Sequence, residues 1–165
     1  MISFLRKHKI ATALASVVVL VALWYLFRPE KLFINKRVNE AAPFAQDDVD
    51  QPAYTGLFKA AIHETAGRAS VYRNSNGSLS LKLTDFHTSN GPDVHVVLAK
   101  AGDPVLAKTS PGTALELLEI APIKGNEGDQ EYMLPANVDF SQYNTVVIYC
   151  ERFRAVFGSA GLQPF

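Results

Sequence analysis

Cys150 is the residue with the greatest capacity for chemistry, because it is the only cysteine in the chain. It ends the apolar run 146–150 and is followed by Glu151, Arg152 and, two residues later, Arg154. Cationic neighbours favour the thiolate, the form of cysteine that does nucleophilic, redox and metal chemistry, whereas Glu151 acts in the opposite direction. We therefore expect Cys150 to be a redox thiol or a ligand, with Arg152 and Arg154 tuning its ionisation.

The same run supports a second interpretation, in which the thiol is chemically inert. Alternation places Cys150 on one strand face with Val146 and Ile148. If this face packs into a core, the cysteine behaves as a small buried hydrophobe. A single cysteine also excludes an internal disulfide framework and a multi-cysteine zinc or iron–sulfur site within one chain. A homodimer linked through Cys150 stays open.

Metal binding would require partners for the thiol. His87 and His95 flank the turn 89–92 and are the metal candidates, and His63 lies nearer the start of the body. One cysteine and two histidines would suit copper or zinc, but these histidines lack ligand spacing, and His95 is expected to face solvent or a neighbouring strand. Covalent haem is excluded because there is no Cys-x-x-Cys-His motif, and non-covalent haem on Cys150 would need an apolar cavity. Haem, copper and no cofactor at all remain alternatives.

Other functional classes are disfavoured by charge and by motif. Residues 38–165 carry nine Lys and Arg against fifteen Asp and Glu, so the body lacks the basic stripe that nucleic-acid binding requires. No Gly-x-Ser-x-Gly elbow accompanies Asp93 and His95, and no Gly-rich phosphate loop is present.

The N-terminal part of the sequence favours a membrane anchor. Residues 10–27 are eighteen residues without a charge, long enough to span a bilayer as a helix. The run is longer than the h-region of a cleaved signal peptide and has no small-x-small site after it. We predict a basic flank at 1–9 and a signal anchor at 10–27. Counts of Lys and Arg on either side do not decide the orientation, but a short flank is typical of an N-terminus in the cytoplasm. The prediction is a single-pass protein of the cell membrane with its body outside the cytoplasm.

A linker is predicted between the anchor and the body. Residues 28–52 begin basic and turn acidic at Asp47, Asp48 and Asp50, without sustained alternation. The acidic triplet lacks the pattern of a calcium loop, so a solvated tether is expected.

The body, residues 53–165, is predicted to be all-β, as an antiparallel sandwich or small barrel of about eight strands. Leu79, Leu81 and Leu83 alternate with polar residues, and an Asn-Gly pair in 74–77 predicts a hairpin. Asp139 to Tyr143 could form one helical turn. The expected strands lie within 56–62, 69–74, 79–84, 93–99, 115–123, 130–134, 145–150 and 153–157.

Three segments of the body carry a family resemblance: 81–98 with its Ser89-Asn90-Gly91-Pro92-Asp93-Val94-His95 run, 128–135, and 143–160. They resemble the DM-thirteen domain, labelled "electron transfer DM", from about Tyr54 to Leu162, in a bacterial membrane-anchored member. The family pattern V-V-I-x-C-x-x-F contains one cysteine, and Cys150 matches it. The resemblance implies an extracytoplasmic β-rich domain with a redox role, through a free thiol or a bound prosthetic group.

Together these observations predict a membrane-anchored, extracytoplasmic electron-transfer domain that acts through Cys150, with a redox or surface protein as its partner. The alternative is a non-catalytic envelope binding or scaffold module in which Cys150 only packs.

Overall fold

The computed structural model describes residues 9–27, 34–40, 51–100 and 115–165. Residues 1–8 of the predicted basic flank lie outside these ranges, as do Asp47, Asp48 and Asp50 of the predicted linker.

One helix is long and apolar enough to cross a membrane among the described residues. This helix, α1, runs from Lys9 to Phe27 and starts one residue before the predicted span. Its segment Lys9–Leu26 has a mean hydropathy of 2.0, and none of it is buried within the protein. Among the described residues this segment is thus exposed, and the length and composition of α1 suit a membrane anchor.

Ten strands follow α1 in the described part of the chain. Two of them contain only two residues, so the expected number of about eight agrees with the longer strands. Their bounds are β1 Tyr54–Leu57, β2 Lys59–Ala60, β3 Thr65–Arg73, β4 Leu79–Thr88, β5 Val94–Ala99, β6 Leu117–Pro122, β7 Gln130–Leu134, β8 Thr145–Cys150, β9 Ala155–Gly161 and β10 Gln163–Pro164.

The strands form two antiparallel five-stranded sheets, in the orders β10-β1-β3-β4-β7 and β2-β9-β8-β5-β6. This arrangement confirms the predicted sandwich and excludes the closed barrel for the strands described. The run predicted as one strand, 56–62, is in fact two. Its first part pairs with β3, its second part pairs with β9, and the buried Phe58 lies where the chain changes sheet.

The core lies between the sheets and is built by alternation. Leu79, Leu81 and Leu83 of β4 are all buried there, as predicted. The second sheet contributes Val146 and Ile148 of β8 to the same core. Because successive side chains on a strand point to opposite faces, the intervening residues of β8 lie on the outer face.

One turn connects β3 to β4, and a second turn connects β8 to β9. The hairpin between β3 and β4 is present as predicted, with the Asn74 amide bonded to the Ser78 carbonyl at 2.9 Å and Gly77 at φ 82°. The strand predicted from Phe153 begins instead at Ala155, because 151–154 form a turn.

Candidate functional site

Cys150 is the last residue of β8 and lies in the middle of the second sheet. It is opposite Val94 on β5 and Ala155 on β9. Its exposed fraction is 0%, and it packs in the same core cluster as Val146 and Ile148. The face that the sequence left undecided is therefore a core face, and a reagent in solvent reaches the thiol only if the surrounding structure opens.

The turn 151–154 covers the end of β8, and all four of its residues are exposed. The Glu151 amide donates to the Asp93 carbonyl at 2.9 Å, which ties the turn to β5. Arg154 adopts φ 50°, a left-handed conformation that is uncommon for a residue with a side chain. The turn is thus a solvent-facing element that directly follows Cys150 in the chain and is tied to β5 through the Glu151 amide.

Arg154 makes its side-chain hydrogen bond to Tyr149. Burial raises the pKa of Tyr149, and this bond from Arg154 acts against that rise. Tyr149 belongs to the cluster on the outer face of the sheet, whereas Cys150 belongs to the inner core. The contact that fixes Arg154 therefore lies on the opposite face from the thiol, and the predicted influence of Arg152 and Arg154 on Cys150 stays a prediction.

His95 lies on the outer face of β5, directly opposite Tyr149. Its Nδ1 is 2.7 Å from Glu119 Oε1 on β6, and its Nε2 is 3.2 Å from Asp93 Oδ1. The prediction that His95 faces a neighbouring strand is confirmed. Cys150 and His95 are consequently separated by the sheet itself.

Two further histidines of the described body, His87 and His63, have other partners. His87 is opposite Ala66 on β3, and His63 packs its ring 4.1 Å from the Phe157 ring. Within the described ranges, no three His, Cys, Asp or Glu side chains come together as a metal site. A copper or zinc set of Cys150, His87 and His95 is not assembled there.

Two clefts open on the surface near these residues. The first, which we call the Asn90 cleft, has a volume of about 410 Å³ and is lined by residues that include Asn90, Val94, His95 and Asn126. The second, the His87 cleft, has a volume of about 440 Å³ and is lined by His87 and Glu127 among others. Val94 lines the Asn90 cleft and is also the residue of β5 that pairs with Cys150 on β8. One residue of β5 therefore lies between this cleft and the thiol.

Residues 34–40, within the predicted tether, contact the body. Ile34 and Lys36 line the Asn90 cleft, and Arg37 and Asn39 line the His87 cleft. Sequence reasoning missed this contact because the segment lacks alternation. The two glycines at 125 and 128 were the available signal, since closely spaced glycines often mark a close backbone approach.

The described residues define a class of protein: an antiparallel β-sandwich with a buried cysteine at a strand end, in a chain with an apolar helix of membrane-spanning length. A sequence model of the family described as Electron transfer DM13 matches residues 57–162. This match covers more than half of the chain, so the chain belongs to that family, and the resemblance found in the sequence is confirmed. The family is named for electron transfer, which supports a redox role. No curated protein and no solved structure is significantly similar to the chain.

Proposed function

We propose that this protein is a membrane-anchored, extracytoplasmic electron-transfer domain in which Cys150 is the redox group. The observation that carries the proposal is membership of the electron-transfer family, whose matched region contains the free cysteine Cys150. The apolar helix α1 supports the anchor. A partner at the membrane surface would exchange electrons with the domain.

A bare thiol suits the surroundings of Cys150 better than a bound prosthetic group. Its strand neighbours are Val94 and Ala155, and its exposed fraction is 0%. A haem needs an open apolar cavity beside its axial ligand, and a copper ion needs further nitrogen or sulfur ligands. The residues around Cys150 fit neither group, so we propose no step through haem or copper.

Access to the thiol would come from local opening of the turn 151–154. Exposed segments with few buried contacts open at a lower free energy than the core strands that they connect. The turn is exposed throughout and is tied to β5 through the Glu151 amide. Thiol exposure by this route would leave the sandwich folded.

Thiol labelling of the full chain in detergent tests this proposal. We expect Cys150 to react with a disulfide reagent under native conditions, at a rate insensitive to Val146→Ala. Val146 is buried on the same face of β8, and its truncation should cost about 2 kcal/mol of global stability. Labelling by global unfolding would then accelerate about 30-fold, and that result would contradict local opening.

The same preparation tests for a prosthetic group. We expect no visible absorption band in the wild-type chain and none in Cys150→Ala. A band that is present in the wild type and lost in Cys150→Ala would overturn the choice of a bare thiol. Electrophoresis without reductant adds a further outcome, because a Cys150-linked homodimer would migrate at twice the mass.

The tuning role of Arg152 and Arg154 has its own test. Each is changed to Gln, and the rate of thiol labelling is measured as a function of pH. If the guanidinium groups favour the thiolate, each change lowers the rate at neutral pH. The matched control is Arg73→Gln, because Arg73 is an exposed arginine at the end of β3 in the other sheet. Equal rates in all three variants would contradict the tuning role.

A second candidate function is a non-catalytic envelope binding module. The observation that favours it is the complete burial of Cys150 among apolar neighbours, since buried cysteines are generally unreactive. This alternative predicts that Cys150 reacts only on global unfolding, and that Cys150→Ala retains every electron-transfer property of the chain.

The proposed location is tested by fusing alkaline phosphatase to the C-terminus. An extracytoplasmic body gives an active phosphatase, because that enzyme needs disulfides that form outside the cytoplasm. An inactive fusion would place the body in the cytoplasm.

A further inference from the structure

Residues 34–40 run beside residues 124–131, which are the loop before β7 and the first two residues of β7, as a short parallel strand would. The Val38 amide donates to the Glu127 carbonyl at 2.9 Å, and the Glu40 amide donates to the Asp129 carbonyl at 3.0 Å. In return, the Glu127 amide donates to the Lys36 carbonyl at 3.4 Å. The backbone of this segment is thus paired with a loop about ninety residues later in the chain.

Side chains reinforce the backbone pairing at both ends. The Glu127 carboxylate accepts from Asn35 Nδ2 at 2.9 Å and from the Arg37 guanidinium at 2.9 Å. The Glu40 carboxylate accepts from Lys124 Nζ at 2.8 Å and from the Glu131 amide at 2.8 Å. Exposed ion pairs add little each, but here they join the two ends of one segment to one loop.

This segment supplies hydrogen-bond partners to a buried polar side chain of the body, Asn126. Asn126 is 6% exposed, and its Oδ1 accepts from the Lys36 amide at 2.7 Å. Its Nδ2 donates to Asn35 Oδ1 at 3.2 Å and to the Thr88 carbonyl at 3.2 Å. The docked segment therefore supplies partners to both ends of the Asn126 amide, and water would have to replace them if the segment left.

The two glycines of the loop permit the close approach. A Cβ on Gly125 would lie 2.3 Å from the Lys36 carbonyl oxygen, and a Cβ on Gly128 would lie 2.0 Å from the Val38 carbonyl oxygen. Gly128 also has φ 89°, which residues with side chains rarely adopt. The loop is therefore shaped to receive a backbone at this place.

We propose that residues 34–40 are a strap that forms part of the domain and holds its Asn90 and His87 clefts close to the membrane. Seven residue steps separate the end of α1 at Phe27 from Ile34, a reach of at most about 24 Å. A free tether over 28–52 would instead reach roughly 90 Å. The strap lies before the family match and involves no atom of Cys150, so the proposal goes beyond the electron-transfer role; it rests on the membrane anchor proposed for α1 and not on the redox group.

The consequence for function is a short working distance, by which we mean the distance between the two clefts and the membrane surface. The strap borders both clefts, so the face that carries them stays near the lipid surface when the strap is docked. A partner that uses this face must lie in the same membrane or at its surface.

Limited trypsin digestion of the full chain in nanodiscs tests the docking of the strap. Trypsin cleaves after Lys36 and Arg37 only where the backbone is accessible, so the docked strap should be protected. Gly128→Ala places a Cβ against the strap and should accelerate these two cleavages at least tenfold, as measured by mass spectrometry. The matched control is Gly77→Ala: Gly77 also has a positive φ, 82°, but nothing lies within 4 Å of its added Cβ. Cleavage at equal rates in the wild type and in Gly128→Ala would overturn the docking.

A second variant guards against misfolding of Gly128→Ala. The double change Glu40→Gln and Glu127→Gln removes the carboxylates that hold both ends of the strap and leaves the glycines in place. Its control is Glu131→Gln, since that residue contacts the strap through its backbone amide. We expect faster cleavage in the double variant than in the control, and equal rates would count against the strap.

Energy transfer to acceptor lipids tests the distance from the membrane. A donor is attached at Glu64→Cys in the Cys150→Ala background, because Glu64 is exposed and its carbonyl accepts from the Ser89 amide beside the Asn90 cleft. If the strap is docked, we expect more energy transfer to the acceptor lipids with the wild-type strap than with Gly128→Ala. Gly77→Ala should leave the energy transfer unchanged. Equal transfer in all three would overturn the short working distance, whatever the redox activity of Cys150.

Discussion

Replacement of Cys150 by Ser and by Ala should give different stabilities, because the site is dry. Both changes remove the sulfur from the core cluster that also contains Val146 and Ile148, so that loss is common to the two variants. Only serine adds a hydroxyl, which then needs a hydrogen-bond partner at a position with 0% exposure. The difference between the two variants therefore isolates the cost of burying that hydroxyl.

The magnitude follows from the cost of an unsatisfied buried hydroxyl, about 1–3 kcal/mol. For a β domain of this size, 1 kcal/mol corresponds to roughly 4 °C in Tm. We expect Cys150→Ser to melt about 4–12 °C below Cys150→Ala. The assay is thermal unfolding of the full chain in detergent, followed by the circular dichroism of the β strands.

A matched control is Ala155→Ser, which adds a hydroxyl directly opposite Cys150 on β9, at another buried position. It should lose a similar amount of stability. The reasoning is refuted if Cys150→Ser melts at or above Cys150→Ala. Water or a polar group would then reach position 150, and the thiol would be accessible without opening of the turn 151–154.

Four further predictions concern other parts of the molecule. The pKa of Glu40 is lowered, chiefly because its carboxylate accepts a hydrogen bond from Lys124. The contribution of Glu40 to strap docking is therefore present above pH 4.5, the ordinary pKa of the group, and is lost as the pH falls through the lowered pKa. Amide-exchange protection of the strap should fall with it, and protection that stays constant in acid would contradict this. Burial raises the pKa of Tyr132 to about 12. The neutral phenol therefore contributes its full share to folding stability below pH 10, and this contribution is lost as the pH rises towards 12. Ultraviolet titration of the phenol checks the pKa. Tyr132→Phe removes the acceptor of the Lys124 amide at 3.0 Å and should cost about 1–2 kcal/mol in chemical unfolding; no loss would mean that water replaces the phenol. Gly56→Ala places a Cβ 2.4 Å from the Gly161 carbonyl oxygen and should cost about 1–3 kcal/mol in the same assay, and an unchanged midpoint would show that β1 can shift away.

Much of the fold could be predicted because a strand repeats every two residues. The alternation of Leu79, Leu81 and Leu83 identified a buried face, and the Asn-Gly pair identified the hairpin before it. The division of 56–62 into two strands could not be read in this way. It depends on pairing with β3 in one sheet and β9 in the other, and those partners are distant in sequence.

Cys150 was singled out in the sequence because it is the only cysteine, and its role as the functional group stays a prediction. The sequence left the face of Cys150 open, and the structure places it in the core. The separation of Cys150 from His95 by the sheet follows from the pleat, once the core face of β8 is known. The partner of Arg154, Tyr149, could not be predicted, because it depends on the left-handed conformation that Arg154 adopts in the turn.

By itself, the sequence determined the class of protein: an apolar helix of membrane-spanning length, an all-β body and a lone cysteine in a family named for electron transfer. These properties are local, since they follow from composition, period and motif. Only the tertiary structure decided that the thiol is buried between the sheets and that residues 34–40 dock beside Gly125 and Gly128. Burial and docking are properties of contacts between distant segments, and the packing of the whole chain sets them.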